Sequence, residues 1–461
     1  MRSRMKVAGL RLALGGFAAA AIAGVACAAV PAGQVARIGQ DLTPFGSEKA
    51  GEKTPIGDVG EWTGGLATVP SNVTYKAGDH LADPFASDKP LFTITGANAD
   101  KYKDYLNAGH QALLKQYSDY KMNVYQSRRT CAQPEAVYKA TKNNAAIGEL
   151  IGGGNGVGKA ILGFPFPIPN NALEIVWNHL LRYRSFKSTR QYAFAPVTQS
   201  GDYTLSKVQD EAIIQWADPT KKSAEDLNNI SLYYIQNTIA PARVAGNVIL
   251  VYESINAQIQ PRQAWQYSPG TRRVRRAPTI SYDNPGTNAD GLTTSDAFDG
   301  YNGAPDRYDW SVVGIAPQIV AANDFKAEVT PYKDYLQQQH LNQDVIRYEL
   351  RRNWEVRATL KPDQRHVYAR RDMYQDEDGW QVTGTDLYDG RGQLWRTQEV
   401  QMIQRYNVPS CGQATEAVYD LQAGRYLAMT MQNEEPPANY FADELDVNRY
   451  TPGALRQLGV R

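Results

Sequence analysis

Over residues 345–360 apolar and polar side chains alternate. Ile346, Tyr348, Leu350, Trp354, Val356, Ala358 and Leu360 share one side; Arg347, Glu349, Arg351, Asn353, Glu355, Arg357 and Thr359 share the other. A period of two is the signature of a strand with one face on a core, and at about 3.3 Å per residue this one would span roughly 50 Å. Arg352 breaks the pattern, a charge on the apolar side that needs a partner. A ligand headgroup or an internal carboxylate such as Glu211 or Glu253 would supply one, and the internal pair is expected. Shorter period-two runs come earlier, at 191–197, 211–216, 231–238, 247–253 and 263–267. Later, Asp376-Glu377-Asp378-Gly379 separates 367–374 from 380–388, and Asp389-Gly390-Arg391-Gly392 opens 393–406. Consecutive long strands joined by such turns predict an antiparallel meander, curved into a partial barrel or strongly twisted sheet.

Three stretches have a helical period instead. Tyr102, Tyr105, Leu106, Gly109, Leu113 and Tyr117 recur every three or four positions and predict a helix over 98–117. Pro134 opens a second over 134–150, with Val137, Tyr138, Ile147 and Leu150 as its apolar side. The third, 171–184, has an Asn170 or Asn171 cap, Glu174 in its first turn, and an apolar stripe of Leu173, Val176, Trp177, Leu180 and Leu181. Helices that precede most of the strands predict a lid or clasp over the sheet. Before the third helix, Gly153, Gly158 and Lys159 match the spacing of a phosphate-binding loop. Ala160 stands where that loop needs a hydroxyl, however, and Pro165, Pro167 and Pro169 forbid the helix it needs next. These glycines are expected to serve as a backbone hinge.

The polar arm at 37–65 buries little by itself and should run over a larger body. Residues 283–309, rich in Gly, Asn, Asp and Thr, predict a long exposed excursion. Its aspartates lack the spacing of a calcium loop and are expected to be solvated.

Arg2, Arg4, Lys6 and Arg11 precede an uncharged, Ala-rich run that ends in small residues, so residues 1–29 read as a cleavable secretory signal. Lipidation at Cys27 is the weaker reading, because Gly24 stands where such a signal prefers a residue like Leu. Removing the signal takes the formal net charge from +1 to about −3, which argues against a nucleic-acid partner. The remaining cysteines, Cys131 and Cys411, would pair in an oxidising compartment; two separate buried thiols are the alternative.

No metal, cofactor or catalytic motif emerges. The five histidines lack ligand spacing, and there is no nucleophile elbow. Carboxylates from distant positions can still converge, so an envelope hydrolase with paired carboxylates stays open. Arg272, Arg273, Arg275 and Arg276 form a basic hairpin, read either as a headgroup or partner patch or as an edge strand kept from aggregating by charge.

The segments RIGQDLTPFGSEKAG, EWTGG, DPFASDKPLFTITGANADKY, GFPFPIPNNALEIVWNHLLRYR, YSPGTRRVRRAP and HVYARRDMYQDEDGWQVTGTDLYDGRGQLWR resemble an uncharacterised family of secreted proteobacterial proteins. That family is described as similar to outer-membrane lipoprotein sorting proteins of the LolA and LolB type. The resemblance implies one α+β domain over 30–461, mostly antiparallel: an incomplete, half-open β-barrel covered by helices. It also implies a periplasmic carrier for a lipid, a lipoprotein acyl chain or another hydrophobic molecule. Its partners would be a resistance-nodulation-division type exporter and an outer-membrane protein. A structural adaptor between membrane proteins is the further alternative. A carrier must keep an apolar concavity open, and aromatic residues suit its wall. The candidates by pattern are Trp177, Leu180, Leu181, Tyr348, Leu350, Trp354 and Val356, with Arg352 as a headgroup candidate.

Overall fold

The computed structural model describes residues 30–277 and 282–459; the leader at 1–29, with Cys27, lies outside them. Fifteen strands form one sheet. The first eight are β1 (Phe92–Thr95), β2 (Lys121–Tyr125), β3 (Lys187–Val197), β4 (Ser206–Ile213), β5 (Ile230–Ala240), β6 (Val248–Ser254), β7 (Gln263–Ser268) and β8 (Arg273–Arg276). The others are β9 (Tyr308–Ala321), β10 (Tyr348–Leu360), β11 (Arg370–Asp376), β12 (Val382–Tyr388), β13 (Leu394–Arg405), β14 (Ser410–Asp420) and β15 (Arg425–Met431). β3 to β8 run as one antiparallel meander and β10 to β15 as a second, joined where Ala428 of β15 lies opposite Ala195 of β3. β10 also pairs with β9 along its length, and its first residues pair in parallel with β2. The sheet is large and does not close: β8 ends it on one side, β1 and β9 on the other. The fold is thus mostly antiparallel β with few helices, as the strand pattern predicted.

In β4 to β6 apolar side chains point to both faces of the sheet. Ile213, Ile235 and Leu250 pack on Ala442, Leu445, Tyr450 and Leu455 of the C-terminal segment, while Ala212, Ile249 and Val251 point the other way. β10 departs from the expected pattern because its polar face is also buried. Arg347 meets Glu349 at 2.6 Å and Asp88 at 2.9 Å, and Arg351 meets Asp376 and Asp378 at 2.9 Å each. A buried charge is tolerated only when paired in this way. The 376–379 turn is therefore an interior feature, with Asp378 also held by Arg129 at 2.6 Å. Arg352 finds an internal partner, as expected, but the acids are Glu377 at 3.2 Å and Glu52 at 3.6 Å. Glu211 and Glu253 are engaged by Arg449 and Arg262 instead.

The helices are shorter than their periodicity suggested. The pattern over 98–117 resolves into two single 3-10 turns and α1 (Ala108–Gln116), because Asn107 is extended and caps the helix by accepting the His110 N–H at 2.7 Å. The second is α2 (Glu135–Ile147), stopped where Gly148 turns extended and the chain enters a short hairpin of 149–151 with 156–158. The third is α3 (Ala172–Leu180), capped by Asn171. Glu174 completes the cap by accepting the Asn170 N–H at 2.6 Å. The hairpin glycines position α3, since the Gly154 carbonyl accepts the Trp177 indole N–H at 2.9 Å.

A disulfide joins Cys131 to Cys411 with a Cα–Cα distance of 5.4 Å, across 280 residues of sequence. It ties the segment after β2 to the start of β14, and Gly379 sits against it so closely that a Cβ would lie 3.1 Å from the Cys131 sulfur. A bridge that spans so long a loop restricts the unfolded chain. Replacing both cysteines by alanine should lower unfolding stability by about 2–4 kcal/mol, measured by denaturant titration.

Candidate functional site

The face of β3 to β6 that turns away from the C-terminal segment is only partly packed, with Tyr192, Phe194 and Val208 under Ala289, Leu292 and Phe298. It borders a cavity of about 280 Å³, closed by α3 on one side and by residues 282–305 on another. The wall is mainly apolar, with Trp177, Leu180 and Leu181 from α3, Phe194 from β3, Ala212 from β4, and Ile249 and Val251 from β6.

The segment 282–305 is the principal departure from the sequence reading. Expected as an exposed excursion with solvated aspartates, it lies over the sheet as the cavity's cover. Ala289, Leu292 and Phe298 pack on Tyr192, Phe194, Val418 and Leu427, and its buried acids hold it down. Asp299 accepts hydrogen bonds from Arg182, from Arg184 at 2.8 Å and from Gln381 at 3.1 Å; Asp296 accepts from Arg371 at 2.6 Å and contacts His366 at 3.0 Å. The neighbouring guanidinium groups outweigh burial and hold both carboxyls well below the usual carboxylate range. Gly300, at φ 76°, has no room for a side chain: a Cβ would lie 2.4 Å from Val382.

Further bonds pin the cover from below. Glu416 accepts the backbone N–H of Asp299 at 3.0 Å and of Gly300 at 2.8 Å. Burial, and then the Asp299 charge, push Glu416 up to about 8. His179 of α3 is buried, and desolvation followed by the Arg182 charge depresses it to about 3. The neutral ring fits its partners, with Nε2–H donating to the Tyr301 carbonyl at 2.9 Å and Nδ1 accepting the Val382 N–H at 3.2 Å. At the far end Arg262 links Glu253 of β6, at 2.7 Å, to Asn302 of the cover.

Of the residues singled out by pattern, the structure brings Trp177, Leu180 and Leu181 together at this wall. It places the five on β10 elsewhere. Tyr348 donates to Glu399 at 3.1 Å and Gln343 at 2.8 Å, and with Leu350 belongs to the core around α1. Trp354 stacks on Trp380, and Val356 packs with Met373, Ile175 and Val176 beneath α3. Arg352 stays with its carboxylates. The reason is topological: β2 borders the first residues of β10 and β11 its second half, so one strand serves two cores. Arg272, Arg273, Arg275 and Arg276 lie exposed at and beside the β8 edge, outside the cavity lining. The sequence reading missed Arg184, Arg190, Tyr234 and Asp299, although the Arg182-x-Arg184 pair directly after an apolar helix was there to be seen.

Residues 93–456 match the family described as "Protein of unknown function (DUF1329)". The chain is 46% identical to the uncharacterized protein PA3922 of Pseudomonas aeruginosa, over 99% of this chain and 100% of that one. Among solved structures, a DUF1329 family protein from Desulfovibrio piger aligns with 59% of this chain and 92% of its own, at 15% identity and a TM-score of 0.40. The LolA superfamily protein NE2245 from Nitrosomonas europaea aligns with 61% of this chain and 98% of its own, at 11% identity and a TM-score of 0.37. No helix among the described residues is long and apolar enough to cross a membrane.

Glu416 makes the cover's anchorage pH-dependent. Its folded value, near 8, lies above the ordinary 4.5, so the stabilisation is complete below about 4.5 and is lost as pH rises through about 8. Glu416→Gln should flatten the fall in melting temperature between about pH 4.5 and 8, which in the native chain corresponds to on the order of 1 kcal/mol per pH unit across that window. Unchanged pH profiles would show that the carboxyl titrates normally.

Proposed function

This chain belongs to the DUF1329 family, and we propose that it binds a hydrophobic molecule in the cavity under α3 and the 282–305 cover and carries it through the periplasm between the inner-membrane exporter and the outer membrane. The observation that supports the reading most is the uncovered apolar wall. Ala212 of β4 and Ile249 and Val251 of β6 line a cavity of about 280 Å³ that neither α3 nor the cover fills, apolar surface that a fully packed core would not leave beside open space. The binding wall is then Trp177, Leu180 and Leu181 opposite those strands.

The hydrolase alternative needs two carboxylates with one poised as an acid. The two acids of the lining, Glu253 and Asp299, are each bound by arginine, and Asp299 is held below the normal range. The raised acid beside Asp299, Glu416, is engaged by the Asp299 and Gly300 backbone and lies outside the cavity lining, an arrangement that favours binding over acid catalysis. For the partners, the β9 edge offers a docking surface. Val312 and Val313 on it are 41% and 50% exposed beside unpaired backbone, the geometry that accepts an added strand.

Trp177 is a poor test residue, because its indole bond to Gly154 and its 4% exposure make it structural as well. Val251→Phe fills the cavity from the sheet side without deleting a contact. Organic extracts of the native protein, analysed by mass spectrometry, should contain a hydrophobe that is depleted about tenfold or more in Val251→Phe, with the melting temperature held or raised. Empty native extracts, together with no uptake of a fluorescent fatty acid, would overturn the carrier reading.

A further inference from the structure

The cavity's charges narrow the class of ligand, an inference that rests on the binding reading above. Arg182, Arg184, Arg190 and Arg405 all border the same space. The Arg190 charge acts on both Arg184 and Arg405, which places these guanidinium groups within electrostatic reach of one another. A fifth lining arginine, Arg262, is matched by Glu253, and three carboxylates face the other four cations: Asp299 serves both Arg182 and Arg184, Asp210 serves Arg190, and Glu328 serves Arg405. One positive charge is left over, and the geometry identifies its place. Arg184 engages Asp299 through Nη1 alone, its Nε is buried without a partner, and 35% of its side chain remains uncovered where it borders the cavity. Gln236, 7% exposed on the same lining, has an amide nitrogen without a partner.

A surplus guanidinium beside a largely apolar cavity is costly without an anion and well suited to a bidentate oxyanion. The volume, about 280 Å³, falls just below the range of about 300–1,000 Å³ for small-molecule sites, which fits one aliphatic chain and not several. We propose that the ligand is a single-chain amphiphile with an oxyanion headgroup, carboxylate or phosphate, whose head meets Arg184 and whose chain lies along α3 and the inner faces of β4 to β6. Burial and the adjacent Arg182 charge lower Arg184 to about 10, and a bound anion would relieve both.

Calorimetric titration of the purified chain with dodecanoate, dodecyl phosphate and dodecanol tests this. At least one of the two anions should bind about tenfold or more tightly than the neutral alcohol, and the tighter of them identifies a fatty acid or a phosphate-headed lipid as the source. Arg184→Met should abolish that preference while leaving dodecanol within about twofold, and Arg184→Lys should restore part of it. The Met variant is expected to fold, since Asp299 keeps Arg182 and Gln381. Equal binding of all three probes to the native chain, or an equal loss for all three in Arg184→Met, would overturn the headgroup assignment and leave the carrier reading standing. Failure of all three to bind would overturn both.

Discussion

Asp299 sits between Arg182 and Arg184, and the candidate site depends on that contact. A carboxylate buried in this way is stable only with cations on it, and two arginines just beyond the end of α3 supply them. The contact fixes the cover to the helix, and through the backbone bonds to Glu416 it fixes both to β14. Removing the acid would leave two unneutralised guanidinium groups in the interior, a much larger cost than the loss of one surface ion pair.

The same constraint explains how the cavity stays open. A cover attached by apolar packing over its whole length would fill the space it spans. Here the apolar contacts of the cover fall on β3, β14, β15 and Val208 at the start of β4, while polar anchors at Asp296, Asp299, Tyr301 and Asn302 carry it past the rest of β4 to β6. The inner sides of those strands are left facing space, while their outer sides are packed by the C-terminal segment. The open cavity follows from where the sheet is covered by side chains and where by backbone held at a distance.

Much of the sheet was legible because alternation and turn residues are local. The 376–379 and 389–392 turns fall between strands as their composition requires, and α3 begins at its Asn171 cap with Glu174 in place. What could not be read is what only the folded chain brings together. In 247–253 both alternating sets are apolar, so the pattern shows a strand buried on two sides without saying which side meets the cavity. Residues 283–309 have a loop-like composition, and their burial depends on arginines more than a hundred positions earlier in the chain. Tyr348 and Leu350 share a period with Val356, yet pairing with β2 sends them to a different core.

The proposed site of a hydrophobic ligand is the space between α3 and β4 to β6. Photo-crosslinking with a diazirine-bearing fatty acid, followed by peptide mapping, tests it most directly. The account predicts labels on Leu180, Leu232 and Val251, which line that space. Labels confined to the exposed β9 edge around Val312 and Val313, with none on the cavity wall, would contradict it.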